Sequence, residues 1–134
     1  MQDSGQIVLF SFGFKYGVPV DVNFLWDVRF LPNPYWQEQL RPLTGCQREV
    51  AEYVTKSDAG AAFLALFEPL LMLVAASRQV DEKKMLRFAI GCTGGRHRSV
   101  AVVEHLAGVL VSRDFAVRVF HRDIDKDGNG VAGK

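Results

Sequence analysis

Apolar and polar positions divide the chain into a short series of elements. Ile7 to Phe14 (IVLFSFGF) is a run of β-forming residues that gives way to Gly13 and Gly17, the pattern of a strand entering a loop. Asn23 to Phe30 (NFLWDVRF) suits a second strand. The LPNPYW segment follows, and Pro32 and Pro34 argue against regular structure there. Thr44-Gly45 precedes a polar helix near Gln47 to Lys56, and Asp58 is placed to cap a long helix from about Gly60 to Arg78. Pro69 should kink that helix or split it. Leu86 to Gly91 is a short apolar strand. Ser99 to Arg113 has Val102, Val103, Leu106, Val109 and Leu110 at helical spacing, and Phe115 to Phe120 suits a last strand. Strand, glycine loop, helix and strand between Leu86 and Phe120 make a βαβ unit with parallel strands. The expected fold is a single α/β domain, a small and mostly parallel sheet covered by helices, with ligands beyond the carboxyl ends of the strands. The domain should span residues 1–124, with 125–134 as a flexible tail.

Composition narrows this picture little. A length of 134 residues and a 49% hydrophobic content suit one domain with a real core. The formal net charge of +1 gives no whole-protein field toward nucleic acid. Ala61 to Ala76 is very apolar, but it is short for a membrane span and contains Glu68 and Pro69, so a buried core helix is expected and no membrane partner. MQDSGQ lacks a signal-peptide pattern, and Cys46 and Cys92 are too few for a disulfide framework; the expectation is a cytoplasmic protein with reduced thiols. Cys46 has no His or Cys at ligand spacing and His105 sits in an apolar helix, so no metal and no cofactor are expected. The DKDGNG of residues 125–130 copies the first half of a calcium loop, but the glutamate of the twelfth position would fall beyond Lys134.

The sharpest chemical signal is Gly91 to Ser99 (GCTGGRHRS). Glycines 91, 94 and 95 permit a tight turn whose N–H groups point into one hollow, a nest for an anion. The next helix starts near His97 to Ser99, and its first N–H groups add partial positive charge worth about 0.3–1 kcal/mol at a surface. Arg96 and Arg98 add full charges, and Thr93 and Ser99 add hydroxyls. Cys92 to Ser99 also fits C-x-x-G-x-x-R-S, the cysteine phosphatase loop, in which a thiolate attacks phosphorus while an arginine holds the oxygens. Gly91 replaces the usual histidine of that pattern, and Asp27 or Asp123 would have to act as the acid. Anion binding without chemistry is the principal reading, catalysis by Cys92 and Arg98 the alternative, and a plain strand-to-helix turn the third.

The segments GCTGGRHRSV, VRFLPNPYW, LRPLTG, SFGFKYGVP and the late HRD at 121–123 stand in one order along the chain. Together they resemble the C-terminal domain of the RapZ (YvcJ-like) nucleotide-binding and RNase adaptor family. The resemblance runs from about Ile7 to Asp123. It implies a module with a phosphofructokinase-subdomain-like fold that senses a phosphorylated amino sugar, glucosamine-6-phosphate. It also implies self-association and, in some members, binding of a small regulatory RNA. The P-loop motif of the family's nucleotide-binding domain does not occur in this sequence, so a P-loop protein enters only as a partner. By position, the ligand should meet Thr93, Gly94 and Arg98, with Gly95, Arg96, His97 and Ser99 completing the loop. Tyr35 should form the opposite wall, where some relatives have histidine, with Asn33, Arg29, Ser11 and Lys15 as neighbours. An RNA-facing patch would draw on Arg113, Arg118, His121 and Arg122, since the residues after 122 are more acidic than basic.

Overall fold

The computed structural model describes residues 6–78 and 85–126. Strands β1 (Ile7–Gly13), β2 (Phe24–Asp27), β3 (Leu86–Cys92) and β4 (Val117–His121) form one sheet in the order β2-β3-β1-β4. Every pairing is parallel. β1 lies between two neighbours and all seven of its residues are buried, which explains its unbroken apolar run. β4, at an edge, alternates half-buried and exposed residues. The βαβ expectation therefore holds in one respect and changes in another. β3 and β4 run parallel, but β1 sits between them, so the connection through α3 (Arg98–Ser112) passes over a strand.

The two faces of the sheet are covered differently. Ile7, Leu9, Phe88 and Ile90 face the main core with residues of α1 (Arg48–Thr55), α2 (Asp58–Arg78) and α3. Val8, Phe10, Phe12 and Ala89 face the other way, against Phe14, Val22 and Leu25. Phe120 stacks on Phe10 with ring centroids 4.6 Å apart. Helices thus cover one face, while turns and aromatic side chains cover the other.

Several local expectations change for identifiable reasons. Pro34–Trp36 forms a 3-10 turn, because Pro34 opens it with a preset φ and the Asn33 side chain accepts the Tyr35 N–H at 3.1 Å. α2 is capped by Ser57, whose hydroxyl accepts the Gly60 N–H at 2.9 Å; Asp58 is the first helical residue instead. α2 also runs unbroken through Pro69. Phe67 and Leu71, on either side of the proline, are both buried and hold the two halves as one helix. β2 is shorter than its apolar run: its ladder with β3 ends at the Asp27–Gly91 pair, whose last bond runs from the Val28 N–H to the Gly91 carbonyl at 2.9 Å.

The expected burial of the long helix is the largest correction. Leu64, Phe67, Leu71 and Ala75 enter the core, but Leu66 is 78% and Leu73 68% exposed. α2 flanks the β2 edge, where Trp26 meets Phe67, so the sheet covers only one of its sides. By length and composition alone, Asp58–Ser77 is long and apolar enough to cross a membrane. The tail beyond residue 126, with most of the half calcium loop, lies outside the described residues.

Candidate functional site

Four parallel strands bring Gly13, Asp27, Cys92 and His121 to one edge of the sheet. The loop of residues 93–97 leaves that edge from β3 and enters α3 at Arg98. Gly95 has φ +76°, a left-handed conformation that favours glycine. Gly13 and Gly94 touch backbone to backbone, and a side chain on Gly13 would come within 2.4 Å of the Gly94 carbonyl carbon. The Lys15 N–H donates to the Thr93 carbonyl at 3.1 Å, so the turn after β1 is bound to the loop as well.

Arg98 is the centre of this arrangement. It is only 5% exposed. Its Nη1 donates to the carbonyls of Arg29 at 2.7 Å and Leu31 at 3.4 Å, and its Nη2 donates to Thr93 Oγ1 at 3.3 Å. These bonds tie the segment before LPNPYW to the glycine loop. The Arg98 Nε is buried with no acceptor among the described residues, and no ion pair among them includes this guanidinium. Burial pushes its pKa down, against the opposing pull of Cys92 and Asp27. A buried guanidinium with an unanswered donor is a local demand for negative charge.

The other expected residues divide into two sets. Thr93 and Arg29 stand with Arg98. Arg29 itself closes on Asp27, with Nη2 to Oδ2 at 2.7 Å, and its guanidinium lies 4.0 Å from the centre of the Phe14 ring. Tyr35 packs against Arg41 and Trp36 on the 3-10 turn that follows, and Asn33 caps that turn. Arg96 points elsewhere, with its guanidinium on the carbonyls of Pro42 and Ile124. His97 is buried, and its Nε2 meets the Arg41 carbonyl at 3.1 Å. Burial is the main cause holding its imidazole below the usual range, with Arg41 and Leu43 carbonyls opposing and the Arg96 and Arg98 charges assisting. Ser11 and His121 form a contact of their own, described below.

Cys92 lies at the base of the loop and is 2% exposed. Its Sγ accepts the Ser99 N–H at 3.3 Å and sits 3.1 Å from Ser99 Oγ. Both carboxylates named as possible acids are held by basic partners. The Arg29 side chain holds Asp27 below the ordinary carboxylate range. Burial pushes Asp123 upward, but hydrogen bonds from Arg122, the Gly13 N–H and Lys126 outweigh it and leave its pKa lowered. Asp123 is fully buried, with Gly13 N at 2.8 Å and Lys126 Nζ at 2.6 Å. It is an organiser of the strand ends, and no spacing in the sequence announces a bond across 110 positions.

Of the basic residues expected to face RNA, Arg122 turns onto Asp123 and onto the carbonyls of Tyr16 and Gly17. His121 Nε2 lies 2.7 Å from Glu104 Oε2, and its Nδ1 lies 2.7 Å from Ser11 Oγ. Ser11 is fully buried on β1, so this serine–histidine–glutamate row offers no nucleophile to solvent. The fold also brings Cys46 to Glu104 and His121, a grouping that sequence spacing did not foresee.

A family model described as the RapZ C-terminal domain matches residues 5–125. A nucleotide-binding protein of Brevibacillus brevis is 50% identical over 121 residues, covering 90% of this chain and 41% of that protein. Nucleotide-binding proteins of Mycobacterium ulcerans and Mycobacterium tuberculosis are each 48% identical over 118 residues, covering 87% of this chain and 39% of theirs. The chain thus spans about two fifths of the length of the curated relatives it matches.

Proposed function

The chain belongs to the RapZ C-terminal domain family, and from that membership we propose that it is a binding module for a phosphorylated small molecule, an amino-sugar phosphate of the glucosamine-6-phosphate kind. The buried, unpaired Arg98 carries this reading. Its Nε lacks an acceptor among the described residues, and the loop ahead of it places the Thr93 hydroxyl beside the same guanidinium. A phosphate there answers the buried charge with oxygen acceptors. The sugar extends toward the LPNPYW segment, which Arg98 already tethers through the Arg29 and Leu31 carbonyls. Ligand binding therefore loads the same side chain that joins the two walls, a route by which occupancy is passed to the rest of the molecule. The domain acts beside a nucleotide-binding partner and associates with further copies of itself, and the binding step requires no chemistry.

Calorimetry with glucosamine-6-phosphate, glucosamine and inorganic phosphate tests the reading. The sugar phosphate should bind most tightly, with the affinity lost in Arg98→Lys and reduced about tenfold in Thr93→Ala, a neutral hydrogen bond being worth about 0.5–1.5 kcal/mol. No heat at millimolar ligand, or binding unchanged in both variants, would overturn it. The phosphatase alternative has the Cys92–Ser99 contacts in its favour. Turnover of an aryl phosphate by the wild type, abolished in Cys92→Ser, would establish it instead. A salt-dependent shift of structured RNA that the sugar phosphate leaves unchanged would separate RNA binding from ligand sensing.

A further inference from the structure

We propose that Cys46, Glu104 and His121 form a zinc-binding site. The three residues come from the turn before α1, from α3 and from the end of β4. One ligand atom from each, the Cys46 Sγ, a Glu104 oxygen and a His121 ring nitrogen, lie within 4.8 Å of one another. A tetrahedral zinc ion with bonds of about 2.0–2.3 Å sets its ligands roughly 3.3–3.8 Å apart. Glu104 and His121 at 2.7 Å are closer than that, and the other two separations are no more than 4.8 Å, so rotations of the exposed Cys46 and Glu104 side chains reach the geometry. Sulfur, imidazole nitrogen and carboxylate oxygen together are a donor set suited to zinc, and three protein ligands leave the fourth position to water.

Two features raise this group above a chance surface cluster. The first is the support of His121. Its Nδ1 is fixed by Ser11 Oγ at 2.7 Å, and Ser11 is fully buried. That bond aims Nε2 at Glu104, the outer-shell arrangement that orients metal-ligating histidines. The second is the seating of Cys46. Gly45 lies so close to α3 that a side chain on it would meet the Ala101 nitrogen at 2.4 Å. The Gly45 N–H bonds the Arg96 carbonyl at 3.0 Å, and the Cys46 N–H bonds Thr44 Oγ1 at 3.1 Å. The turn is therefore held against α3, within reach of Glu104.

Binding breaks the Cys46 S–H bond, releases that proton to buffer and forms the zinc–thiolate bond with no change of oxidation state. The ion then clamps the turn of residues 44–46 to α3 and β4. Tag-free protein should take up one zinc ion per chain in a chelator competition, and cobalt in its place should show a thiolate-to-metal absorption band. Cys46→Ser should abolish that band and weaken zinc binding by about 100-fold or more, beyond the roughly 10–100-fold that loss of an outer-shell partner brings. Ser11→Ala should weaken it about tenfold. Failure of the wild type to bind zinc at micromolar concentration would overturn the proposal, as would equal affinity in Cys46→Ser.

Discussion

Asp123 shows how a single side chain sets the geometry of the site. It is fully buried, and it receives the Gly13 N–H, the Arg122 guanidinium and the Lys126 ammonium. Burial alone would raise its pKa; the three donors reverse the shift and leave it lowered. A carboxylate with a lowered folded pKa contributes stability that is present above its unfolded value of about 3.9 and is lost as pH falls through the folded value. Asp123→Asn should cost about 1.5–3 kcal/mol at neutral pH, since it turns charge-assisted hydrogen bonds from Arg122 and Lys126 into bonds to an uncharged group. It should also flatten the loss of stability below about pH 4, as measured by urea unfolding across a pH series. An unchanged acid limb in the variant would mean that other carboxylates govern it. At this scale the sequence was partly legible. The glycine loop and Arg98 stand out because local spacing carries them. Arg96 looked equivalent to Arg98 on paper, yet it serves the Pro42 and Ile124 carbonyls. Arg96 lies in the loop two residues ahead of Arg98, which opens α3, and helical periodicity gives no direction for a side chain outside the helix.

At the scale of elements, the junction between α1 and α2 is capped by Ser57, where the sequence suggests Asp58. Ser57 Oγ accepts the Gly60 N–H and donates to the Val54 carbonyl at 2.9 Å, so it serves the end of one helix and the start of the next. Asp58 lies inside the first turn and acts on α2 only through its charge. Ser57→Ala should cost about 1–2 kcal/mol, and Asp58→Ala about 0.3–1 kcal/mol, in denaturant unfolding. The reverse order would restore Asp58 as the cap. Among the described residues, the four strands and three α-helices were legible as types, from short apolar runs bounded by turn residues for the strands and from length or helical spacing for the helices. Their ends were less so, since ends depend on which side chain captures an unpaired N–H. The strand order was not legible at all. β1 enters between β3 and β4 through pairings of Ile7 with both Leu86 and Val117, and no local pattern records such long-range choices.

At the scale of the whole molecule, α2 is the element whose surroundings are incomplete. Its composition suits a helix buried all round, yet Leu66, Leu70 and Leu73 share an exposed side at helical spacing. Sequence reading took the apolar run as evidence of core, because an interior and an interface select the same residues. A leucine ridge of this kind on a small domain is a candidate contact between copies, and a two-fold arrangement would set α2 of one copy against α2 of its partner. Such an interface makes a measurable demand. Replacing both Leu66 and Leu73 with glutamate should lower the mass found by sedimentation equilibrium to that of one chain, while thermal stability of the isolated domain stays within a few degrees, because neither side chain reaches the core. Substituting the buried Leu71 by alanine should do the opposite, costing about 2–5 kcal/mol of stability before any change in association. If the glutamate variant keeps the mass of the wild type, a second copy is not what covers the ridge, and a P-loop protein of the kind proposed above becomes the next surface to test against it.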